Sequence, residues 1–245
     1  MNEIISLMKN HRTIRQFKDY PMGDDTLQEL VEAGQCAASS NFAQAYTIIR
    51  VTDPEKRRIM AELSGNQAHV MEAPLFLVFV ADLERARLCT SLNGERMVEG
   101  QTEAFILATV DTALMAQNIM LAAESMGMGG VYIGALRNNP QIVSELLDLP
   151  MNTYPLFGMC LGYPATENER KPRLPLELVL KTDSYQIRNE VELLKEYDQT
   201  MEEYYRGRAS GSRTDTWTRQ MGRMFSKSLR PHMKSYLESR NLNTK

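Results

Sequence analysis

Cysteine and histidine are scarce in this chain, which has three of each among 245 residues. The cysteines, Cys36, Cys89 and Cys160, are odd in number and far apart, so we expect no disulfide framework and a reducing compartment. Histidine and cysteine never fall at the spacing of metal ligands, so the sequence predicts no metal site. Neither a Walker loop nor a G-x-S-x-G elbow is present, so the motifs of P-loop nucleotide hydrolases and of α/β-hydrolases are missing.

A large excess of one charge is also missing, since the net charge is −3 and the isoelectric point is about 5.8. Without a global positive field to attract nucleic acid, any anion site must be local. The N-terminus lacks the basic start and long apolar run of a signal peptide. Residues 104–123 are the one membrane candidate, and Asp111 interrupts them, leaving a run too short to span a bilayer. We therefore expect a cytoplasmic protein with no membrane segment and no nucleic-acid partner.

Apolar residues make up 43% of the chain and charged residues 24%, which is ordinary for a globular protein. The continuous apolar run Pro74–Ala81 predicts a strand buried on both faces. Residues 102–126 predict a long helix buried in the core or between subunits. Because helices and strands intermingle, we expect an α+β fold with helices flanking a central mixed sheet. Residue patterns predict helices at 3–9, from 24 toward 37, from 54, at 102–126, from 139 to about 147 and within 185–205, and strands at 46–51, 74–81, 131–133 and 156–161.

Beyond residue 165 the sequence becomes polar and then helical, with too little apolar content for a separate core. We therefore predict a single domain over residues 1–245, in which 165–245 form a C-terminal extension. Residues 84–100 are polar and predict a connection. Residues 206–219, RGRASGSRTDTWTR, are basic and rich in glycine and serine, which predicts a mobile loop.

The glycine-rich stretch GMGGVYIG, residues 127–134, invites comparison with a dinucleotide-binding turn. Its spacing differs from G-x-G-x-x-G because Tyr132 stands where the third glycine belongs. Its order is also reversed, since the glycines follow a helix and precede a strand. The pattern favours a helix end capped by Gly127 in left-handed geometry. Gly129 and Gly130 leave open a second role, the close approach of a flat ligand to the backbone.

The stretch KNHRTIRQF, residues 9–17, contains four side chains that can be positively charged. One interpretation is a basic helix end that complements the helix dipole. The other is an anion clamp, in which His11, Arg12 and Arg15 surround a phosphate. Two further basic elements, Lys171 with Arg173 and the arginines at 206, 208 and 213, are ordinary solvated clusters when taken alone.

Ten segments carry a resemblance to a known family. In chain order they are His11-Arg12-Thr13-Ile14-Arg15, Ser39-Ser40 with Gln44, Gly65-Asn66-Gln67, Val110-Asp111-Thr112-Ala113, Gly129-Gly130-Val131-Tyr132-Ile133-Gly134, Leu136-Arg137-Asn138-Asn139, PLFGMCLGYPA, Lys171-Pro172-Arg173-Leu174-Pro175, EYYRGR and Asp215-Thr216-Trp217. In number, order and spacing they resemble the nitroreductase superfamily of flavoenzymes, specifically its NADPH-dependent, oxygen-insensitive nitroreductases and flavin reductases. Thr13 keeps the hydroxyl of the family's H-R-S-I-R type motif.

The resemblance implies a nitroreductase-like α+β homodimer, with FMN and the long helix 102–126 at the dimer interface. It also implies a ping-pong cycle in which NADPH reduces FMN and a nitroaromatic, quinone or free flavin then takes two electrons. The residues that it implies for FMN are His11, Arg12, Thr13, Arg15, Gln67, Lys171 and Arg173, with Ser39 and Ser40 from the other subunit and backbone contacts from Tyr132, Ile133 and Gly134. Arg208, with Arg213 as the second candidate, would meet the 2′-phosphate of NADPH.

Two other functions remain open at the level of sequence. One is a flavin-binding or flavin-delivery protein without turnover on the same fold. The other is an RNA- or phosphoprotein-binding module that uses the basic clusters, against which the acidic isoelectric point counts.

Overall fold

The computed structural model describes residues 2–207 and 215–245 and divides the chain into two compact units. One unit comprises the chain up to Asn168 together with His232–Lys245, and the other is Glu169–Pro231. The second unit begins close to residue 165, where the sequence predicts an extension to start. A single domain over the whole chain stays a prediction.

The described residues form eleven α-helices and four β-strands. Two short 3-10 turns lie at Ser40–Phe42 and Gly134–Asn138. In chain order the elements are α1 (Glu3–Lys9), α2 (Asp24–Gln35), β1 (Tyr46–Arg50), α3 (Pro54–Leu63), α4 (Ala68–Glu72), β2 (Leu75–Asp82), α5 (Glu84–Leu92), α6 (Thr102–Ser125), β3 (Gly129–Ile133), α7 (Pro140–Leu146), β4 (Thr153–Gly162), α8 (Leu176–Val179), α9 (Glu190–Gly207), α10 (Trp217–Phe225) and α11 (Met233–Ser239).

The four strands form one sheet in the order β1-β2-β4-β3, so that β1 and β3 are its edges. All pairings between these strands are antiparallel. The sequence predicts a mixed sheet. In the described residues the parallel pairing is limited to an isolated bridge between Thr13 and Gly130, outside the four strands' own pairings. The α+β architecture and the flanking helices agree with the sequence-based prediction.

Every residue of β2 is buried, as its apolar run predicts. Leu75, Leu77 and Phe79 belong to a core shared with α2 and α6, whereas Phe76 and Val78 belong to a core shared with α3, α4 and α7. Side chains alternate between the two faces of a strand, so helices cover both faces of β2. This burial explains why the run is continuously apolar.

The long helix α6 packs on the sheet and on α2. It is long and apolar enough to cross a membrane by length and composition, and 39% of its apolar window is buried within the protein. Its one charged residue in that window, Asp111, is 1% exposed and accepts three hydrogen bonds. These contacts are typical of a helix that packs in a protein core.

Side-chain caps begin three helices where the sequence predicts them. Asn2 accepts hydrogen bonds from the backbone of the first turn of α1, and Asp53 and Asn139 do the same at α3 and α7. In α3 and α7 a proline follows the capping residue, which suits the first helical position because proline has no N–H to leave unpaired.

Some predicted boundaries are wrong. Part of the polar stretch 84–100 forms α5, where Arg87 pairs with Glu84 along the helix. Strand β4 begins at Thr153 rather than near 156, because a register shift opposite Phe79 and Val80 accommodates Pro155 inside the strand. In the stretch 206–219, α9 extends to Gly207 and α10 begins at Trp217, while 208–214 lie outside the described residues.

The second unit has a small aromatic core of its own. Tyr197, Met201 and Tyr205 are buried on one face of α9, and Trp217 packs edge-on against Tyr197 with ring centroids 5.9 Å apart. Apolar side chains of α8 and of the segment after it are exposed, among them Leu180 at 65%.

Candidate functional site

The segment from His11 to Arg15 lies along the outer edge of β3. Thr13 forms the parallel bridge with Gly130, whose carbonyl oxygen accepts a hydrogen bond from the Ile14 N–H at 2.9 Å. The backbone groups of Gly130 therefore point away from β4, and by alternation those of Tyr132 point the same way. The bridge does not continue past Gly130, so the backbone of Tyr132 is available to a ligand at this edge.

Arg12 and Arg15 are exposed, and neither forms an ion pair with any residue that the structure describes. Helix α1 ends before them, at Lys9, with Asn10 as its C-cap. The dipole interpretation thus accounts for Lys9, the one basic residue in the last turn of α1, and not for the two arginines. Two guanidinium groups without carboxylate partners suit an anionic ligand.

Two further polar side chains belong to the start of α4, and one of them, His69, lies near Arg15. Gln67 precedes α4, and its amide nitrogen donates to the Ser64 carbonyl oxygen at 2.8 Å. His69 is 9% exposed, and its Nε2 has no hydrogen-bond partner in the described residues. Burial, and then the positive charge of Arg15, hold the pKa of His69 below its usual 6.5. The sequence analysis missed His69, because a lone histidine carries no spacing signal.

Strand β3 contributes backbone rather than side chains. Ile133 is 1% exposed, so its side chain belongs to the core. The Tyr132 hydroxyl donates to Gln117 at 3.3 Å, and its ring packs edge-on against Phe157 with centroids 5.0 Å apart. Burial, and then the charge of Glu124, raise the pKa of Tyr132. Gly134 opens the 3-10 turn after the strand.

The glycines of the GMGGVYIG stretch serve the packing of the protein. Gly127 follows α6 with φ +77°, the left-handed geometry that the sequence predicts. A Cβ on Gly129 would lie 2.5 Å from Ile14, and one on Gly130 would lie 2.5 Å from the Cys160 carbonyl oxygen. These two glycines thus allow the protein's own segments to approach β3, and the close approach of a ligand to them stays a prediction.

Ser39 and Ser40 are bound to α6 rather than to the His11–Arg15 segment. The Ser39 hydroxyl donates to one oxygen of Asp111 at 2.6 Å, and the Ser40 N–H donates to the other at 3.0 Å. Beyond them, the non-glycine residues Asn41, Phe42 and Gln44 all have positive φ, a strained geometry that persists only where surrounding contacts hold it. The sequence analysis noted Asp111 without recognising this anchoring role.

The remaining residues that the sequence predicts for the site lie in the second unit or outside the described residues. Lys171 lies 5.6 Å from the centroid of the Tyr205 ring, and the Tyr197 hydroxyl donates to the Pro172 carbonyl oxygen at 2.9 Å. The 171–173 segment is therefore held on α9, where the charge of Arg173 opposes the rise that burial produces in the pKa of Tyr197. Arg208 and Arg213 lie outside the described residues. Among the residues searched, no group of three or more His, Cys, Asp or Glu side chains could hold a metal ion.

Family comparisons assign this architecture. The model of the nitroreductase family matches residues 8–163, and that of the nitroreductase family C-terminal domain matches residues 171–245. The chain belongs to the nitroreductase family. The resemblance identified from the sequence is thereby confirmed.

Relatives of this nitroreductase share its full length. It is 44% identical to an NADPH-flavin oxidoreductase of Vibrio harveyi over 99% of both chains. It is 43% identical to an oxygen-insensitive NADPH nitroreductase of Salmonella typhimurium over 100% of both chains. The solved structure of the NADPH:FMN oxidoreductase from Vibrio harveyi complexed with NAD+ superimposes with a TM-score of 0.91 at 42% identity, covering 100% of each chain. These matches support the predicted fold at the level of the whole chain.

Proposed function

We propose that this nitroreductase is an FMN-dependent NADPH oxidoreductase. It reduces nitroaromatic compounds, quinones or free flavins by two electrons in a ping-pong cycle, consistent with the flavin and nitro activities named for its relatives. The observation that carries the proposal is that, within the described residues, the guanidinium groups of Arg12 and Arg15 form no ion pair and lie beside the open backbone edge of β3. An anionic, planar cofactor needs both features, and the buried Nε2 of His69, which has no hydrogen-bond partner among the described residues, adds a third polar atom near Arg15.

Two kinds of group in this chain would hold FMN: positively charged side chains and the backbone of β3. The cations bind the phosphate and the polar edge of the ring, while the Tyr132–Gly134 backbone lines one face. When bound, FMN would supply the redox chemistry, the passage of two electrons from NADPH to the acceptor. The proposed contacts are His11, Arg12, Thr13, Arg15, Gln67, Tyr132, Ile133, Gly134, Lys171 and Arg173, with Ser39 and Ser40 approaching the cofactor of the second copy.

Arg12 and Arg15 have an electrostatic role beyond binding. Reduction places negative charge on the N1–C2 edge of a flavin, and a cation fixed at that edge stabilises the reduced state. The lowered pKa of His69 leaves that ring neutral near pH 7, so it does not compete with Arg15 for the negative charge. No side-chain nucleophile or general base is required by this chemistry.

For the donor, we propose that Arg208, with Arg213 as the second candidate, binds the 2′-phosphate that distinguishes NADPH from NADH. The stretch RGRASGSR that contains both arginines is basic, as a phosphate contact requires. We also propose a cytoplasmic location, in keeping with the scarcity of cysteine and the absence of a pattern for a disulfide framework.

The purified protein is expected to be yellow and to turn over. Anaerobic addition of NADPH should bleach the flavin absorbance faster than NADH does, and aerobic NADPH oxidation should accelerate when nitrofurazone or a quinone is added. A yellow protein that fails to oxidise NADPH, whether an acceptor or free flavin is added, would support the alternative of a flavin-delivery protein. A purified protein that neither carries nor takes up FMN would contradict both.

We further propose that the protein is a homodimer joined through α6. One face of this helix exposes the apolar side chains of Ile106 (47%), Val110 (47%) and Leu114 (43%), spaced four residues apart. The neighbouring helix α1 also exposes apolar residues, including Ile4 at 59% and Met8 at 52%. A two-fold axis would bury the same stripe of both copies against itself.

Val110→Asp is therefore expected to convert the dimer into a monomer, because it would bury two unpaired carboxylates at the interface. Size-exclusion chromatography with light scattering measures the mass directly. Leu92→Asp is the matched control, since Leu92 is 85% exposed at the end of α5 and should leave the mass at two copies. A wild-type protein with the mass of one chain would refute the proposed dimer.

A further inference from the structure

One polar contact joins α6 to the segment that carries the proposed FMN contacts. The Nδ1 atom of His11 lies 2.5 Å from an Oε1 oxygen of Glu124, and the two side chains are 27% and 10% exposed. Within the described residues the other ring nitrogen of His11, Nε2, makes no hydrogen bond. The pair therefore leaves one ring atom of His11 for a ligand.

The position of Glu124 is unfavourable for a carboxylate taken alone. It lies in the last turn of α6, where the carbonyl ends of the helix already concentrate negative charge. Removing its charge from an isolated helix would leave the helix unchanged or more stable. The contact with His11 compensates for this unfavourable position. His11 directly precedes Arg12, in the segment that follows α1.

Glu124 also influences Tyr132, which lies at the open edge of β3. Its charge is one cause of the raised pKa of Tyr132, whose hydroxyl is bound by Gln117, another residue of α6. The C-terminal half of α6 thus contacts both His11 and Tyr132, which flank the open edge of β3. The Glu124 carboxylate therefore interacts with two of the proposed FMN contacts, His11 and Tyr132.

We propose that Glu124 is a positioning residue of the FMN site that acts through His11. By accepting from Nδ1, the carboxylate would fix the ring and leave Nε2 as the nitrogen that accepts a hydrogen bond from an N–H or O–H group of FMN. The inference rests on the proposed function, since it needs an FMN site at this edge.

A double-mutant cycle on the full-length holoprotein tests the proposal. Dilution of the yellow protein releases FMN, whose fluorescence gives its dissociation constant for wild type, Glu124→Ala, His11→Ala and the double variant. Glu124→Ala should raise that constant about tenfold, and the double variant should match His11→Ala, because Glu124 has nothing left to position. Glu124→Gln should recover part of the affinity, since its amide oxygen can still accept from Nδ1.

The controls separate positioning from a structural role. Glu103→Ala removes an exposed carboxylate from the first turn of α6 and should leave FMN affinity unchanged. Losses that multiply in the double variant, or an unchanged affinity in Glu124→Ala, would overturn the proposal. A wild-type protein that binds no FMN would instead contradict the proposed function itself.

Discussion

Arg15→Ala is expected to raise the dissociation constant for FMN about 10- to 100-fold, because charge-assisted hydrogen bonds to an anion are among the strongest in proteins. Arg15 is exposed, forms no ion pair with the described residues, and contributes through its positive charge to the lowered pKa of the buried His69. Its removal therefore leaves no unpaired carboxylate behind, so the loss should fall on the ligand. FMN released on dilution of the holoprotein is the direct measurement.

The same variant should lower the midpoint potential of the bound flavin, since the reduced state loses a cation at its negative edge. Arg58→Ala is the matched control. Arg58 is exposed and pairs with Glu55 and Glu62 on α3, so its removal breaks surface ion pairs that contribute little. Unchanged affinity and potential in Arg15→Ala would remove Arg15 from the FMN site.

The fold was predictable where one segment carries its own pattern. The apolar run of β2 predicts burial on both faces, and the two cores on either side of Phe76 and Leu77 confirm it. Helix α6 is apolar around most of its circumference, and its bounds agree with the prediction within one residue. Capping residues such as Asp53 fix the starts of helices, because the hydrogen bonds that they make are local.

Errors arose where tertiary contacts override a local pattern. Pro155 makes the start of β4 resemble a loop, and the register shift beside it exists only in the pairing of β4 with Phe79 and Val80 of β2. Helix α5 is a different case, because its sequence is polar and weakly patterned and the pair between Arg87 and Glu84 that supports it is local. A glycine pair such as Gly129 and Gly130 looks the same in sequence whether a ligand or another chain segment comes close.

The site divides in a similar way. Arg12 and Arg15 could be proposed from the sequence because unusual charge density and a family motif mark them. That neither arginine has an ion-pair partner in the part of the chain that the structure describes is a tertiary fact, and it is what separates a ligand clamp from a helix end. His69 and Glu124 carry no motif, and only the fold brings each to the residue that gives it a role.

Asp111→Ala is expected to lower the free energy of unfolding by about 3 kcal/mol, because it leaves buried donors without an acceptor. The Asp111 carboxylate accepts from the Ser39 hydroxyl and from the N–H groups of Ser40 and Ala45, at 2.6, 3.0 and 3.2 Å. In a chain of this size such a loss corresponds to a fall of about 6–12 °C in the thermal midpoint. Calorimetry or thermal denaturation followed by circular dichroism measures it.

Asp111→Ala should affect the proposed function as well as stability. The same hydrogen bonds hold the loop that continues through Asn41 and Phe42, both of which have positive φ. Without its anchor the loop should relax toward ordinary backbone geometry and withdraw Ser39 and Ser40 from the cofactor of the second copy. Glu103→Gln, an exposed carboxylate on the same helix, is the matched control and should change neither property. Ser39→Ala removes one of the three donors and also the acceptor of the Gln44 N–H, and it should reproduce part of the loss in stability. A thermal midpoint in Asp111→Ala equal to that of Glu103→Gln would show that the loop holds its strained geometry without this carboxylate.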